Sequence, residues 1–254
     1  MRRIKLTVAY DGTDYCGWQI QPNGITIESV LNQALSRLTG EQVTVTGASR
    51  TDAGVHAQGN VAVFDTASTI PPERIAYAVN GLLPDDVVVV SSEEVPAGWH
   101  PRYQDSVKTY EYRIMNRRMP DPVRRRDTWF VSYPLDAERM RQAARYLEGE
   151  HDFRSFCSVH TETKTTVRTI YSAEVKRDGD LVILRIRGNG FLYNMVRIIA
   201  GTLADVGRGF YEPAAVKEML EAKDREKAGA TAPPRGLMLI GIEYGADARK
   251  HMGK

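Results

Sequence analysis

The stretch "TVTGASRTDAGVHAQGNVAVF", Thr44 to Phe64, sets two apolar-alternating runs around a small polar centre. Alternation marks half-buried strands, because successive side chains point to opposite faces. The spacing predicts strands over Val43–Val45 and Asn60–Asp65, with a tight loop between them. The stretch carries Arg50, Asp52 and His56 among Gly47, Gly54 and Gly59. Asp-Ala-Gly is turn chemistry, and the glycines admit close backbone approach. Two readings of Asp52 fit: a structural partner for Arg50, or an ionised carboxylate serving as nucleophile or electrostatic group. His56 reads most simply as a satisfied, partly buried loop histidine.

Outward from this loop, Ile4–Tyr10 reads as a strand, and "DGTDYCGWQIQPNG" as a turn-rich connection. Ile27, Val30, Leu31, Ala34, Leu35 and Leu38 recur at helical spacing, with Thr26 as N-cap and Gly40 as stop. A helix from Pro71-Pro72-Glu73 to about Asn80 and the strand "DDVVVVSSEEV" follow. A looser copy comes next. It has a strand at Val107–Met115, a basic loop "NRRMPDPVRRRDTWFV" and a helix at Asp136–Leu147. A hairpin, Thr169–Lys176 with Leu181–Arg187, turns at Asp178-Gly179. Helices at Phe191–Val206 and Pro213–Glu221 and a strand at Gly236–Glu243 complete it. This order implies an α+β protein of two similar halves, 1–104 and 105–254, meeting across a cleft.

The chain has 254 residues, 42% apolar and 26% charged, the profile of a soluble globular protein with room for two domains. No apolar run approaches the roughly 20 residues of a membrane span. "MRRIKLTVAYDG" passes directly into strand-like alternation and does not read as a signal peptide. Two cysteines, Cys16 and Cys157, make neither a disulfide framework nor a metal-ligand pair, which fits a reducing cytoplasm. His56, His100, His151, His160 and His251 lack zinc spacing, so no metal is expected. Net charge is +2, unevenly spread. Residues 1–104 hold 7 Lys/Arg against 11 Asp/Glu, and residues 105–254 hold 27 against 21. A basic second half suits a polyanionic partner or a solvated surface.

Three further groups call for explanation. Lys108, Tyr110 and Tyr112 share one face of a strand, where tyrosines cover a sheet or offer a nucleobase a stacking surface. In "LRIRGNGFLYNMVRIIAG", Arg185 and Arg187 project from one strand face. Arg197 lies outside the stripe of Leu192, Met195, Val196 and Ile199. Its partner is a structural carboxylate, a phosphate or the acid of the opening loop. Trp18 and Gln19 either line a cleft or pack a turn.

These elements together resemble the TruA family of tRNA pseudouridine synthases. The resemblance rests on "YDGTDYCGWQ" (Tyr10–Gln19), "SRTDAGVHAQGNVAVF" (Ser49–Phe64), "LPDDVVV" (Leu83–Val89) and "HPRYQDSVKTYEYRI" (His100–Ile114). It continues through "DFRSFC" (Asp152–Cys157), "GNGFLYNMVRIIAGTL" (Gly188–Leu203) and "APPRGLML" (Ala232–Leu239). The resemblance implies the pseudouridine-synthase fold, with two domains related by a pseudo-twofold, mostly antiparallel sheets and a positively charged central cleft. It implies a cytoplasmic homodimer that binds tRNA and isomerises uridines 38, 39 and 40 of the anticodon stem-loop, with neither metal nor organic cofactor. The family's catalytic aspartate falls on Asp52, its neighbouring basic residue on Arg50, its active-site tyrosine on Tyr110 and its second basic residue on Arg197. One local difference is Ser49, where many relatives have glycine; it is small enough to fit and able to add a hydrogen bond.

Pseudouridine formation exchanges a C–N glycosidic bond for a C–C bond, so the uridine must leave the stack and enter a closed pocket. Asp52 is the nucleophile on this reading, with Arg50 and Arg197 preserving its charge. Tyr110 stacks beneath the turning uracil and, itself or through a water beside it, is a candidate to remove the final C5 proton. Arg102, Lys108, Arg124, Arg125, Arg126, Arg168 and Arg185 are candidate phosphate contacts, which supply affinity without reading sequence. A synthase with a different RNA site, or a non-catalytic tRNA-binding module, shares the same basic surface.

Overall fold

The computed structural model describes residues 1–158, 163–246 and 248; His160 and His251 lie outside them. The protein is α+β. It divides into two compact units, one of Met1–Asp105 with Leu239–Gly245, the other built on Ser106–Met238.

In the first unit, β1 (Arg2–Tyr10) lies between β3 (His56–Thr66) and β4 (Val87–Val95), antiparallel to both. β10 (Leu237–Tyr244) flanks β3. Gly59 lets it come close, since a Cβ there would sit 2.9 Å from the Ile240 carbonyl oxygen. Ile4, Leu6 and Val8 alternate into the core. α1 (Ile27–Thr39) opens with a capping box between Thr26 and Ser29 and ends at Gly40 with φ 72°. α2 (Pro72–Asn80) packs on β4. The strand expected over Val43–Val45 is displaced to β2 (Thr46–Gly47), antiparallel to β3. The reason is that Val43 and Val45 donate their N–H groups to side chains of α1, Ser36 Oγ and Asn32 Oδ1. β3 also starts earlier than Asn60, because pairing with β1 continues to Tyr10–Ala57 past a bulge.

In the second unit, β5 (Ser106–Asn116), β9 (Leu181–Gly188), β8 (Val167–Asp178) and β7 (Gly149–Asp152) pair antiparallel in that spatial order. β6 (Trp129–Val131) runs parallel to β5. The β8–β9 hairpin turns at Gly179, φ 55°. α3 (Ala137–Arg145) starts at an Asp136 cap and packs on β8. α4 (Met195–Gly207) packs on α3, and α5 (Ala215–Ala222) follows. α4 begins at Met195 rather than Phe191, because Asn194 adopts φ 61° and interrupts the helix there. It is buried on nearly every side, with Arg197 and Asp205 its only residues that are not. A strap from Ala228 to Ala232 crosses it closely: a Cβ on Gly201 would lie 1.9 Å from the Ala230 oxygen.

Candidate active site

The loop of Asp52 is tied down through its backbone and its neighbours. The Thr51 carbonyl accepts the Trp18 N–H at 3.0 Å, and Gly54 N–H donates to the Tyr15 carbonyl at 3.3 Å. The Thr51 hydroxyl bonds Tyr10 OH at 2.8 Å, and the Asn60 amide donates to that phenol and to the Ser49 carbonyl. Asn60 Oδ1 accepts in return from Ser49 N–H. Thr51 and Asn60 are buried, Asp52 is half-buried and Arg50 is exposed. Gly17 has φ 82°, and a Cβ there would lie 2.6 Å from the Thr51 oxygen. Only glycine serves both the conformation and the approach.

Trp18 is fully buried and packs the turn rather than a cleft; a Cβ on Gly47 would sit 2.3 Å from its Nε1. Gln19 is exposed. Ser49 Oγ is buried and finds no hydrogen-bond partner among the described residues, so the extra hydroxyl adds no bond. His56 is buried, with Nδ1 3.1 Å from both Gly12 N and Asp11 Oδ1. One nitrogen cannot accept from the first and donate to the second. The Gly12 N–H is an obligatory donor, and Asp11 Oδ1 already accepts from Thr13 N and Oγ. Nδ1 is therefore the acceptor, and His56 supports the loop through that bond to Gly12.

Arg102 donates its Nε to the Gly47 carbonyl at 2.7 Å while most of the residue stays exposed. Burial of the tethered end and the charge of Arg50 lower its pKa, yet a guanidinium stays protonated at any physiological pH. Arg102 is thus anchored beside the Asp52 loop.

In the second unit, Tyr110 is buried on β5 with Phe191 edge-on at 5.1 Å. Tyr112 is buried too, its hydroxyl donating to the Pro233 carbonyl at 2.8 Å. Arg197 is gripped from three directions. Its Nε donates to the Ala232 carbonyl at 2.8 Å, its Nη1 to Asn194 Oδ1 at 2.8 Å, and its own carbonyl accepts Ala232 N–H at 3.1 Å. The left-handed backbone of Asn194 turns its amide back onto the first turn of α4.

The remaining basic residues sit in varied settings. Arg185 is exposed, in register with Glu111 on β5 and Glu174 on β8. Arg124 pairs with Asp127 at 3.2 Å, and Arg125 donates to the Pro122 carbonyl. Arg126 is exposed. Arg168 folds back on the carbonyls of Thr165 and Val167. Lys108 is half-buried opposite Gly188. Sequence reading missed the Tyr10–Thr51–Asn60 network, Asn194 and Ala232. An asparagine before a helix is a recognisable signal; the network joins residues 41 and 50 positions apart and leaves none.

Among the described residues, no three or more His, Cys, Asp or Glu are grouped to hold a metal ion. No described helix is long and apolar enough to cross a membrane. A sequence model described as tRNA pseudouridine synthase matches residues 6–104 and 143–245. The tRNA pseudouridine synthase A of Brevibacillus brevis is 50% identical over 244 residues, covering 96% of this chain and all of that protein. Its namesake from Thermoanaerobacter sp. is 48% identical with the same coverage, and that of Exiguobacterium sp. is 50% identical over 98% of its length.

Proposed function

Since the chain belongs to the tRNA pseudouridine synthase family, we propose that Asp52 is its nucleophile and that it acts on uridines 38, 39 and 40 of the anticodon stem-loop. The enzyme is an isomerase: the uracil detaches from N1, turns, and reattaches through C5, and no atom is gained or lost. The observation that carries the assignment of Asp52 is its setting. It is a half-buried carboxylate in a loop whose neighbours are fixed by hydrogen bonds from Trp18, Tyr10 and Asn60.

Attack on C1′, abstraction of the 2′ proton and addition at uracil C6 all require the ionised carboxylate. Arg50 and Arg197 give electrostatic support in this reading, and Tyr110 stacks on the uracil while it turns. Preorganised groups of this kind lower a barrier because they need not move as charge develops. Arg102, Lys108, Arg124, Arg125, Arg126, Arg168 and Arg185 supply phosphate contacts. The working form is a homodimer in the cytoplasm, a compartment that suits two free cysteines.

The test is nucleotide-resolution mapping of pseudouridine in unmodified tRNA, with wild type and Asp52→Asn. Wild type is expected to modify positions 38–40 without added cofactor, and Asp52→Asn to bind tRNA but form no product. Product from Asp52→Asn overturns the role of Asp52, and product only outside the anticodon stem-loop overturns the site assignment.

A further inference from the structure

The turn His100–Tyr103 carries the most exposed aromatic ring among the described residues, Tyr103 at 83%. A ring left in water gains the fold nothing by burial, yet this one is held in place. The His100 ring lies nearly parallel to it, 18° between planes and 4.1 Å between centroids. His100 is itself locked, its Nδ1 accepting the Arg102 N–H at 3.1 Å, while Tyr103 N–H closes the turn on the His100 carbonyl. Below them the buried Pro101 accepts the Tyr244 hydroxyl at 3.0 Å, and Trp99 packs edge-on against that tyrosine. The turn is thereby fastened to β10, and the open face of Tyr103 is preset.

The charges beside the ring have the matching chemistry. Arg102 is anchored through Nε on Gly47, and the residue as a whole is exposed. Arg50 is exposed and near enough for its charge to act on Arg102. A fixed π-face beside one guanidinium, with a second close enough to act on the first, is the combination that single-stranded RNA sites use: the ring stacks a base and the cations take its phosphates.

We propose that Tyr103, backed by His100, is a stacking platform for an unpaired tRNA nucleobase, with Arg102 and Arg50 binding the phosphates on either side of it. This rests on the tRNA reading above and adds a subsite to it. Every base has a π-face, so such a platform tolerates sequence. It holds the loop beside the reacting nucleotide without restricting which neighbouring uridine enters.

The test compares wild type, Tyr103→Ala, Tyr103→Phe and, as a control, Tyr77→Ala, which is 77% exposed on α2. Two quantities are measured: equilibrium binding of unmodified tRNA as a function of salt, and fluorescence of anticodon stem-loop RNA carrying 2-aminopurine at single loop positions. Tyr103→Ala is expected to weaken binding about 10-fold with the salt slope unchanged, because a stack and no phosphate contact is lost. Quenching at one loop position should disappear with it. Tyr103→Phe should keep both signals, and Tyr77→Ala should bind as wild type. Wild-type affinity and quenching in Tyr103→Ala would overturn the platform. Absence of pseudouridine from the wild-type reaction would instead overturn the functional reading, and the binding comparison still judges the platform.

Discussion

The Thr51 hydroxyl and the Tyr10 phenol lie 2.8 Å apart in a buried hydrogen bond that joins the loop of Asp52 to the end of β1. β1 is paired on both sides, by β3 and β4, so this bond refers the candidate nucleophile to a strand held within the sheet. Asn60 extends the link, donating to the same phenol and to the Ser49 carbonyl. A loop tethered only through its backbone would leave Asp52 free to shift, and displacement of a reacting group by about 1 Å costs on the order of 100-fold in rate.

Thr51→Val keeps the shape and removes the hydroxyl. Tyr10 retains its contact with Asn60, so the loss of stability should be modest, about 1 kcal/mol. The rate of the chemical step should fall by about 10-fold or more, with tRNA affinity unchanged. Single-turnover kinetics at saturating enzyme, together with thermal unfolding, separate the two effects. An unaltered single-turnover rate would show that the hydroxyl does not position Asp52.

Asn194 offers a second check, on the other unit. Its φ of 61° is a conformation that glycine adopts freely and alanine resists. Asn194→Gly therefore removes the hydrogen bond to Arg197 without straining the backbone, whereas Asn194→Ala removes the bond and adds roughly 1–2 kcal/mol of strain. If the amide positions Arg197 for the reaction, both variants lose rate to a similar degree, and Asn194→Ala loses roughly 1–2 kcal/mol more stability than Asn194→Gly. Measured kcat, KM and melting temperature distinguish the cases. A fully active Asn194→Gly would assign the residue to the fold alone. Arg197→Lys completes the set, since a lysine keeps the charge but not the fork held between Ala232 and Asn194.

How much of this was legible in the sequence depends on the range of the interaction. Thr26, Ser29 and Gly40 announce the ends of α1 within a few residues of one another, and the structure bears them out. The hairpin at Gly179 is local in the same way. β6 and β7 went unread because strands of three and four residues carry too few alternations to be seen, and they exist through their pairing with β5 and β8. Val43–Val45 looked like a strand by composition but spends two N–H groups on α1 side chains. At the candidate site, Asp52 and Arg197 were singled out from their motifs. The groups that hold Arg197 and Arg102 were not: Ala232 is 35 residues from Arg197, and Gly47 is 55 from Arg102. Long-range polar contacts leave no periodicity.

The last prediction concerns acid stability. Asp152 closes the β7–β8 pair, accepting the Thr166 hydroxyl at 2.6 Å and the Arg154 N–H at 3.2 Å. Burial raises its pKa, but these hydrogen bonds and the charges of Arg154 and Lys223 outweigh burial and leave it lowered. A carboxyl whose pKa is lower in the folded state contributes stability above its unfolded value of about 3.9, and that contribution is lost as pH falls through the folded value. Asp152→Asn should therefore destabilise the protein by about 1 kcal/mol at pH 7. The gap between variant and wild type should narrow as pH falls below about 4. Urea unfolding across this range measures it. A gap that stays constant or widens with acid would mean that Asp152 contributes through packing and not through its charge.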